Sequence, residues 1–385
     1  MADRYAEEAP ELALTMDAHN PSALLALAQH QLTEHHPEAA AVIARGLLRA
    51  EPLAGEAFAV LAEAAEAGGE AAKARALYGI AVLRAPQDFH ARAWVIDTQL
   101  REGRYAEAME QINILLRISP EQGAKLFPIL VNLSNAPEFA RALAQTLSTK
   151  PIWRASLLSV LLAQGGHGPM DQVYGALQHN GGLSTDEAGQ WIERLMQEGL
   201  WGEAYSRWVG ELALAPGTPL APVYNGDFET EPSGSGFDWR ISRSAGVAID
   251  RVTATGVTGA YAIQVSFSGR RVPQINFEQR LLLAPGTYQL HFRARAQSLR
   301  SDKGLQWAIA CEPESAPLGV SAPLQGSFAW KGFDTTFAIP AENCPAQRLW
   351  LHNPGAAAAG KEISGDILFD DFTISKRTVP GPEAR

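Results

Sequence analysis

The chain has 385 residues, 46% of them hydrophobic and 19% charged, a length that predicts two domains rather than one core. Its formal charge of −10 is unevenly placed: residues 1–220 hold 26 acids and 16 bases, whereas residues 221–385 hold 16 of each. No basic stripe is present to neutralise phosphates, which argues against a nucleic-acid partner, and no apolar run is long enough to cross a bilayer.

The opening MADRYAEEAPELAL has neither a basic start nor a following apolar core, so no signal peptide is visible. Either the chain is cytoplasmic, or an export signal or membrane anchor lies upstream of this sequence.

Three segments then align without gaps. NPSALLALAQHQLTEHHPEAAAVIARGLLRAEP ends at Pro52, GEAFAVLAEAAEAGGEAAKARALYGIAVLRAP at Pro86, and FHARAWVIDTQLREGRYAEAMEQINILLRISP at Pro120. The prolines recur every 34 residues, and so do Ala40, Ala74 and Ala108, and Leu27, Leu61 and Val95. Gly69 and Gly103 mark a turn inside the second and third units. Each unit reads as two amphipathic helices that approach closely at the small Ala. One pair cannot bury its apolar face alone, so the units must stack. EGLWGEAYSRWVGELALAP repeats the pattern through Gly199, Ala204, Trp208 and Pro216. Between them, residues 121–184 read as irregular helical repeats, and STDE predicts a capping box with Ser184 as N-cap and Glu187 at N3.

The period and the small-residue positions resemble the tetratricopeptide repeat. That resemblance implies a concave groove lined by the first helix of each pair, with Leu25, Gln29, Ala59, Glu63, Ala93 and Asp97 at the lining positions and a protein as the partner. His35 and His36 fall in the first inter-helix turn, and His90, His167 and His179 lack the spacing of a metal site.

After the proline-rich LALAPGTPLAPVY the period changes to two. VAIDRV, YAIQVSF, INFEQRLLL, TYQLHFRARA, LQWAIA, TTFAIP, RLWLHNP and DILFDDFTIS are short, rich in β-branched and aromatic residues, and separated by turn signals. They predict a two-sheet antiparallel sandwich, most simply a jelly roll, over residues 218–376. The helical domain then occupies residues 1–217 and a flexible tail residues 377–385. Cys311 and Cys344 are 33 residues apart with no Cys-x-x-Cys spacing, which leaves one disulfide or two buried thiols as alternatives.

NGDFE at 225–229, a tryptophan about ten residues later (Trp239, expected in the core), PGTYQLHFRARA and the closing DILFDDFTI together resemble a carbohydrate-binding-module jelly roll. NGDFE would be its first edge, with SGSG as a loop. The resemblance implies a structural calcium where the opening and closing strands meet, with Asp227 or Glu229, Asp371 and Asp370 as ligands, since calcium takes carboxylate and carbonyl oxygens in flexible geometry. It also implies a glycan ligand. Aromatic rings that could stack on sugar faces are Trp307, Trp330, Trp350, Phe333 and Tyr261, with Arg271, Gln274, Asn276 and Gln279 as polar neighbours. No Gly-x-Ser-x-Gly elbow, metalloprotease motif, phosphate loop or marked acid–base pair stands out, so no enzyme activity and no organic cofactor are expected. The pair of modules is similar to accessory proteins of bacterial polysaccharide assembly. It implies a non-catalytic scaffold in the periplasm or cell envelope, with a purely protein-binding scaffold or a glycan-active enzyme as alternatives, and the cytoplasm as the alternative compartment.

Overall fold

The computed structural model describes residues 2–6, 8–212, 219–272, 274–313, 316–354 and 362–377. Residues 213–218 of the proline-rich linker, Pro216 among them, and the tail from 378 onward lie outside the described residues. The fold is all-α in its first part, a tetratricopeptide-like array of helices, and then an antiparallel β-sandwich of jelly-roll type. No described helix is long and apolar enough to cross a membrane.

A short helix α1 (Pro10–Met16) precedes three regular pairs: α2 (Pro21–Thr33) with α3 (Pro37–Ala50), α4 (Gly55–Ala67) with α5 (Ala71–Arg84), and α6 (Phe89–Arg101) with α7 (Tyr105–Ile118). The recurring alanines explain the pairing, because Ala40, Ala74 and Ala108 are fully buried where the second helix meets the first. Gly69 and Gly103 take left-handed φ values of 75° and 71° in the turns, and His35 occupies the equivalent place in the first unit at 61°. A non-glycine there carries a local strain that the other two turns avoid. The irregular region also forms helices, α8 (Gly123–Leu133), α9 (Pro137–Ser148), α10 (Arg154–Gln164) and α11 (His167–His179). Here α10 stacks on α8 and α11 on α9, so the layering continues where the sequence repeat fades.

The last pair, α12 (Thr185–Gln197) and α13 (Trp201–Glu211), opens with the expected capping box: Ser184 Oγ accepts from Glu187 N, and Glu187 Oε2 accepts from Ser184 N. Packing divides the chain into Met1–Leu183 and Ser184–Arg385. This last pair, whose second helix ends at Glu211 while the expected boundary at 217 lies outside the described residues, therefore belongs to the compact unit that holds the sandwich. Trp208 is the reason, since its ring meets Phe237 at 5.6 Å and Tyr224 at 5.1 Å, edge-on to the latter. Gly236 must be glycine, because any Cβ there would overlap the Trp208 indole.

Among the described residues the sandwich has ten strands: β1 (Arg240–Ile241), β2 (Val247–Thr253), β3 (Tyr261–Arg271), β4 (Phe277–Leu281), β5 (Gly286–Arg300), β6 (Gln306–Glu312), β7 (Gly319–Val320), β8 (Gly326–Ile339), β9 (Ala346–His352) and β10 (Glu362–Lys376). They form two five-stranded sheets, ordered β1-β4-β9-β6-β7 and β2-β3-β10-β5-β8. All eight predicted strand segments are present; the two missed, β1 and β7, have two residues each and too little pattern to read. Between the sheets lies an aromatic core in which Trp239, Phe277, Trp307, Phe369 and Phe372 touch at ring-centre distances such as 5.0 Å for Trp239–Phe277 and 4.8 Å for Trp307–Phe372. A disulfide joins Cys311 on β6 to Cys344 just before the neighbouring β9, which decides between the two alternatives for the cysteines.

Candidate functional site

Two polar constellations of the sandwich and one face of the helices hold part of the residues singled out above. The first sandwich constellation is a clasp between the opening motif and the final strand. NGDFE is a turn and not a strand: Asn225 and Phe228 adopt left-handed φ values of 50° and 53°. Asn225 pins the turn, its Oδ1 accepting from Thr230 N at 3.2 Å and its Nδ2 donating to Thr230 O at 2.9 Å. The motif meets β10 at one backbone bond, Phe372 N donating to Gly226 O at 2.8 Å. A side chain at Gly226 would overlap the Phe372 carbonyl, so this approach requires glycine.

Around the clasp the four expected calcium ligands have different surroundings. Glu229 Oε1 accepts from the backbone N–H groups of Tyr261 (2.9 Å) and Ala260 (2.8 Å), which hold its carboxyl below the usual range. Asp370 is buried, accepts from Thr258 N at 3.0 Å through Oδ2, and has no partner for Oδ1. Burial pushes its pKa up to about 6. Asp371, in a bulge at φ 56°, accepts from Thr258 Oγ1 at 2.9 Å and pairs with Arg293 at 3.1 Å. Asp227 is exposed, with a 3.5 Å contact to Glu229 N. A buried carboxylate with an orphaned oxygen suits a hard cation, and Glu229 and Asp370 both reach the same segment, residues 258–261. Asp371 does not fit, because a guanidinium already occupies its charged side. Among the described residues no group of three or more His, Cys, Asp or Glu gathers as a metal cluster, so a calcium here would draw its remaining ligands from backbone carbonyls.

The second constellation lies on the open face of the sheet β1-β4-β9-β6-β7. Register builds it: Arg240 opposes Glu278, Glu278 opposes Trp350, and Trp350 opposes Ala308, while Arg280 opposes Arg348. Alternation sends all the charged members of these rows outward, and there they pair. Arg348 Nε donates to Glu278 at 2.7 Å; Arg280 donates to Glu278 at 2.7 Å and approaches Glu312 at 3.3 Å; Arg240 grips Glu193 of α12 with both terminal nitrogens. Arg240, Glu278, Arg280 and Arg348 line a cavity of about 400 Å³ together with Gly234, Ile241, Ser242, Gln274 and Asn276. Trp350 stands beside it, half-buried, with the Arg348 guanidinium 5.1 Å from its ring centre.

Of the expected glycan contacts, Gln274 and Asn276 therefore line the cavity together, and Trp350 adjoins it through the lining residues Arg348 and Glu278. Trp307 does not, and the expectation for it is corrected: it faces inward, fully buried, edge-on to Trp239 at 5.7 Å. Trp330 lies on β8 of the other sheet, its indole donating to Thr255 O at 2.9 Å. Phe333 stacks on the core ring of Phe292 at 5.2 Å, Tyr261 lies under Arg251 at 3.3 Å, and Gln279 is buried, donating to Tyr224 O. Arg271 is exposed at the end of β3. Arg240, Glu278, Arg280 and Arg348 were missed. Their signal was present as outward parity in FEQRL and QRLW, but the partners are about seventy residues apart, Arg348 and Glu278 above all.

In the helical unit the expected groove residues sit on successive first helices, Leu25 and Gln29 on α2, Ala59 and Glu63 on α4, Ala93 and Asp97 on α6. Ala59 is buried, Leu25, Glu63 and Ala93 are half-buried, and Gln29 and Asp97 are exposed. Beside them is an aromatic pair absent from the expectation: Tyr78 and Trp94 stack at 4.2 Å, and Trp94 Nε1 donates to Glu66 at 2.8 Å. Burial, and then the Glu66 charge, push the Tyr78 phenol up.

No family model matches the chain, and no curated protein does. Among solved structures, one described as "CBM4 structure and function" matches with a TM-score of 0.31 and 19% identity over 40% of this chain and 99% of that one. TmCBM61 in complex with β-1,4-galactotriose matches with a TM-score of 0.28 and 19% identity over 41% of this chain and 100% of its own. YrrB, a tetratricopeptide-repeat protein with an unusual peptide-binding site, matches with a TM-score of 0.29 and 11% identity over 51% of this chain and 98% of its own.

Proposed function

We propose that this protein is a non-catalytic accessory scaffold, its helices docking a protein partner and its sandwich holding a glycan, in assembly or export of a bacterial envelope polysaccharide. The observation that carries the glycan part is the cavity beside Trp350. It is open and lined by donors and acceptors in fixed ion-paired positions, and the Trp350 ring lies next to the lining Arg348; polar groups that orient hydroxyls and a ring that can stack on a sugar face are the equipment of a glycan site. The helical face with Trp94, Glu63 and Asp97 supports the protein-docking part. The disulfide supports an oxidising compartment such as the periplasm. A non-catalytic role is supported by where the perturbed acid lies: a glycosidase needs a carboxyl of raised pKa beside the sugar, and Asp370 is buried in the clasp whereas the cavity carboxylates are held by arginines. A calcium at Glu229 and Asp370 would have a structural role, fastening the 258–261 segment.

The test is affinity electrophoresis of the intact chain against a panel of neutral and acidic polysaccharides, with Trp350→Ala and Asn276→Ala alongside. Retardation that both substitutions weaken supports the reading. No retardation by any glycan, with a protein partner still captured through the helices, favours the purely protein-binding scaffold. Slow turnover of a retained polysaccharide would favour an enzyme.

A further inference from the structure

The first helices of the three regular pairs, α2, α4 and α6, carry four carboxylates, Glu56, Glu63, Glu66 and Asp97, and two arginines. Neither arginine reaches the glutamates. Arg92 is buried and donates to Gln111 and to the carbonyls of Val82 and Pro86, and Arg101 pairs with Asp97 on its own helix. Among the described residues no Lys or Arg makes an ion pair with Glu63 or Glu66; Glu63 meets only the His90 ring of α6, at 3.7 Å. Contacts to one buried ring bring these groups together. Tyr78 of α5 packs with Ala62 of α4 and Ala91 of α6, Trp94 stacks on it at 4.2 Å with 21° between the planes, and the His90 ring centre is 6.5 Å away. The Tyr78 hydroxyl donates to Glu66 Oε2 at 3.4 Å, and Trp94 Nε1 donates to Glu66 Oε1 at 2.8 Å. The indole is thus held on one face by the phenol and at its edge by the carboxylate, yet it stays half-buried. Glu63 also stands close to this ring pair: after burial, the charges of Glu66 and then Glu63 push the Tyr78 phenol up.

An indole locked in place and still partly open, beside two carboxylates that no Lys or Arg neutralises, suits a cation. The ring face attracts positive charge, and the carboxylates accept its N–H groups. A neutral ligand would instead desolvate the glutamates without compensation. Charge favours the same occupant at longer range, since residues 1–220 hold 26 acids against 16 bases. We propose that this face of α4 and α6 receives a lysine or arginine side chain from a basic segment of the partner protein, packed against Trp94 and hydrogen-bonded to Glu63 and Glu66. This rests on the protein-docking reading above and adds the charge class of the partner.

The test uses the intact chain and three labelled peptides of one length, repeats of Gly-Ser-Arg, Gly-Ser-Lys and Gly-Ser-citrulline, the last keeping the shape of arginine without its charge. The variants are Glu63→Gln/Glu66→Gln, which keeps an oxygen for Trp94 Nε1, and Trp94→Leu. Glu38→Gln/Glu110→Gln, on α3 and α7, makes the same change of charge away from the site. The expected result, read by fluorescence anisotropy, is a charged peptide bound about tenfold more tightly than the citrulline peptide. That ratio should fall towards one in Glu63→Gln/Glu66→Gln and in Trp94→Leu, and hold in Glu38→Gln/Glu110→Gln. Melting curves accompany each variant, and the isosteric glutamine pair decides if Trp94→Leu unfolds. Equal binding of charged and neutral peptides overturns the proposal and leaves protein docking standing. A preference that Glu38→Gln/Glu110→Gln lowers as much as Glu63→Gln/Glu66→Gln also overturns it, and identifies a diffuse acidic surface. Binding of none of the three overturns it as well, and the docking reading then stands or falls on the capture of a protein partner through the helices.

Discussion

Ala40, Ala74 and Ala108 in the helices and the Trp239–Phe277–Trp307–Phe372 cluster in the sandwich perform the same task with opposite materials. The helices bury backbone against backbone, and their side chains are small because the axes must come close. The sheets stand about 10 Å apart, as stacked sheets do, and large rings fill that gap. In the first design stability is spread over many repeated contacts. In the second it is concentrated in a few side chains that each touch several others.

The largest expected effect breaks this contrast at its most concentrated point. Trp307→Ala should cost the sandwich about 3–5 kcal/mol, read by denaturant titration, and leave the transition of the helical unit in place. A loss under about 1 kcal/mol would mean that Trp307 is a surface ligand contact after all.

Next comes the clasp. The pKa of Asp370 is raised from 3.8 to about 6, so its contribution to stability is complete below pH 3.8 and is lost as pH rises through 6. Asp370→Asn should then stabilise the metal-free protein at pH 7 by up to about 3 kcal/mol, and by nothing near pH 3.5. If calcium binds there, millimolar calcium should raise the melting temperature of the wild type and leave that of Asp370→Asn unmoved; no shift in either removes the metal from the clasp.

The smallest effect tests the repeat logic. His35 bears the left-handed backbone that Gly69 and Gly103 bear in the next two units. His35→Gly should gain about 0.5–1 kcal/mol, visible as a small rise in the midpoint of the helical transition, whereas Gly69→Ala should lose a similar amount.

The same contrast explains what could be read in advance. A tetratricopeptide-like unit is made of local contacts, so Pro52, Pro86 and Pro120 with the alanines between them reveal it, and Ser184 with Glu187 reveals a helix start. Even so, the packing boundary at 183 was hidden, because the partners of Trp208 are Tyr224, at the end of the linker, and Phe237, in a loop beyond it. In the sandwich, alternation reveals strands but not which parity faces the core. Trp307 and Trp350 look alike in LQWAIA and RLWLHNP, and they end on opposite faces. Gln274 and Asn276 were found as polar interruptions of an apolar run. Arg280 and Arg348 escaped notice because each is unremarkable until β4 and β9 lie side by side.

The bond from Phe372 N to Gly226 O has a further consequence for the architecture. It brings the first turn of the sandwich and its last strand to the same spot, so the β-domain is a nearly closed circle of chain. Closed circles tolerate being cut elsewhere: a circular permutant that bridges residue 376 to residue 223 and opens at the exposed Asp302–Lys303 turn would keep every strand neighbour. The order in which the strands are synthesised is thus separable from the order in which they pack.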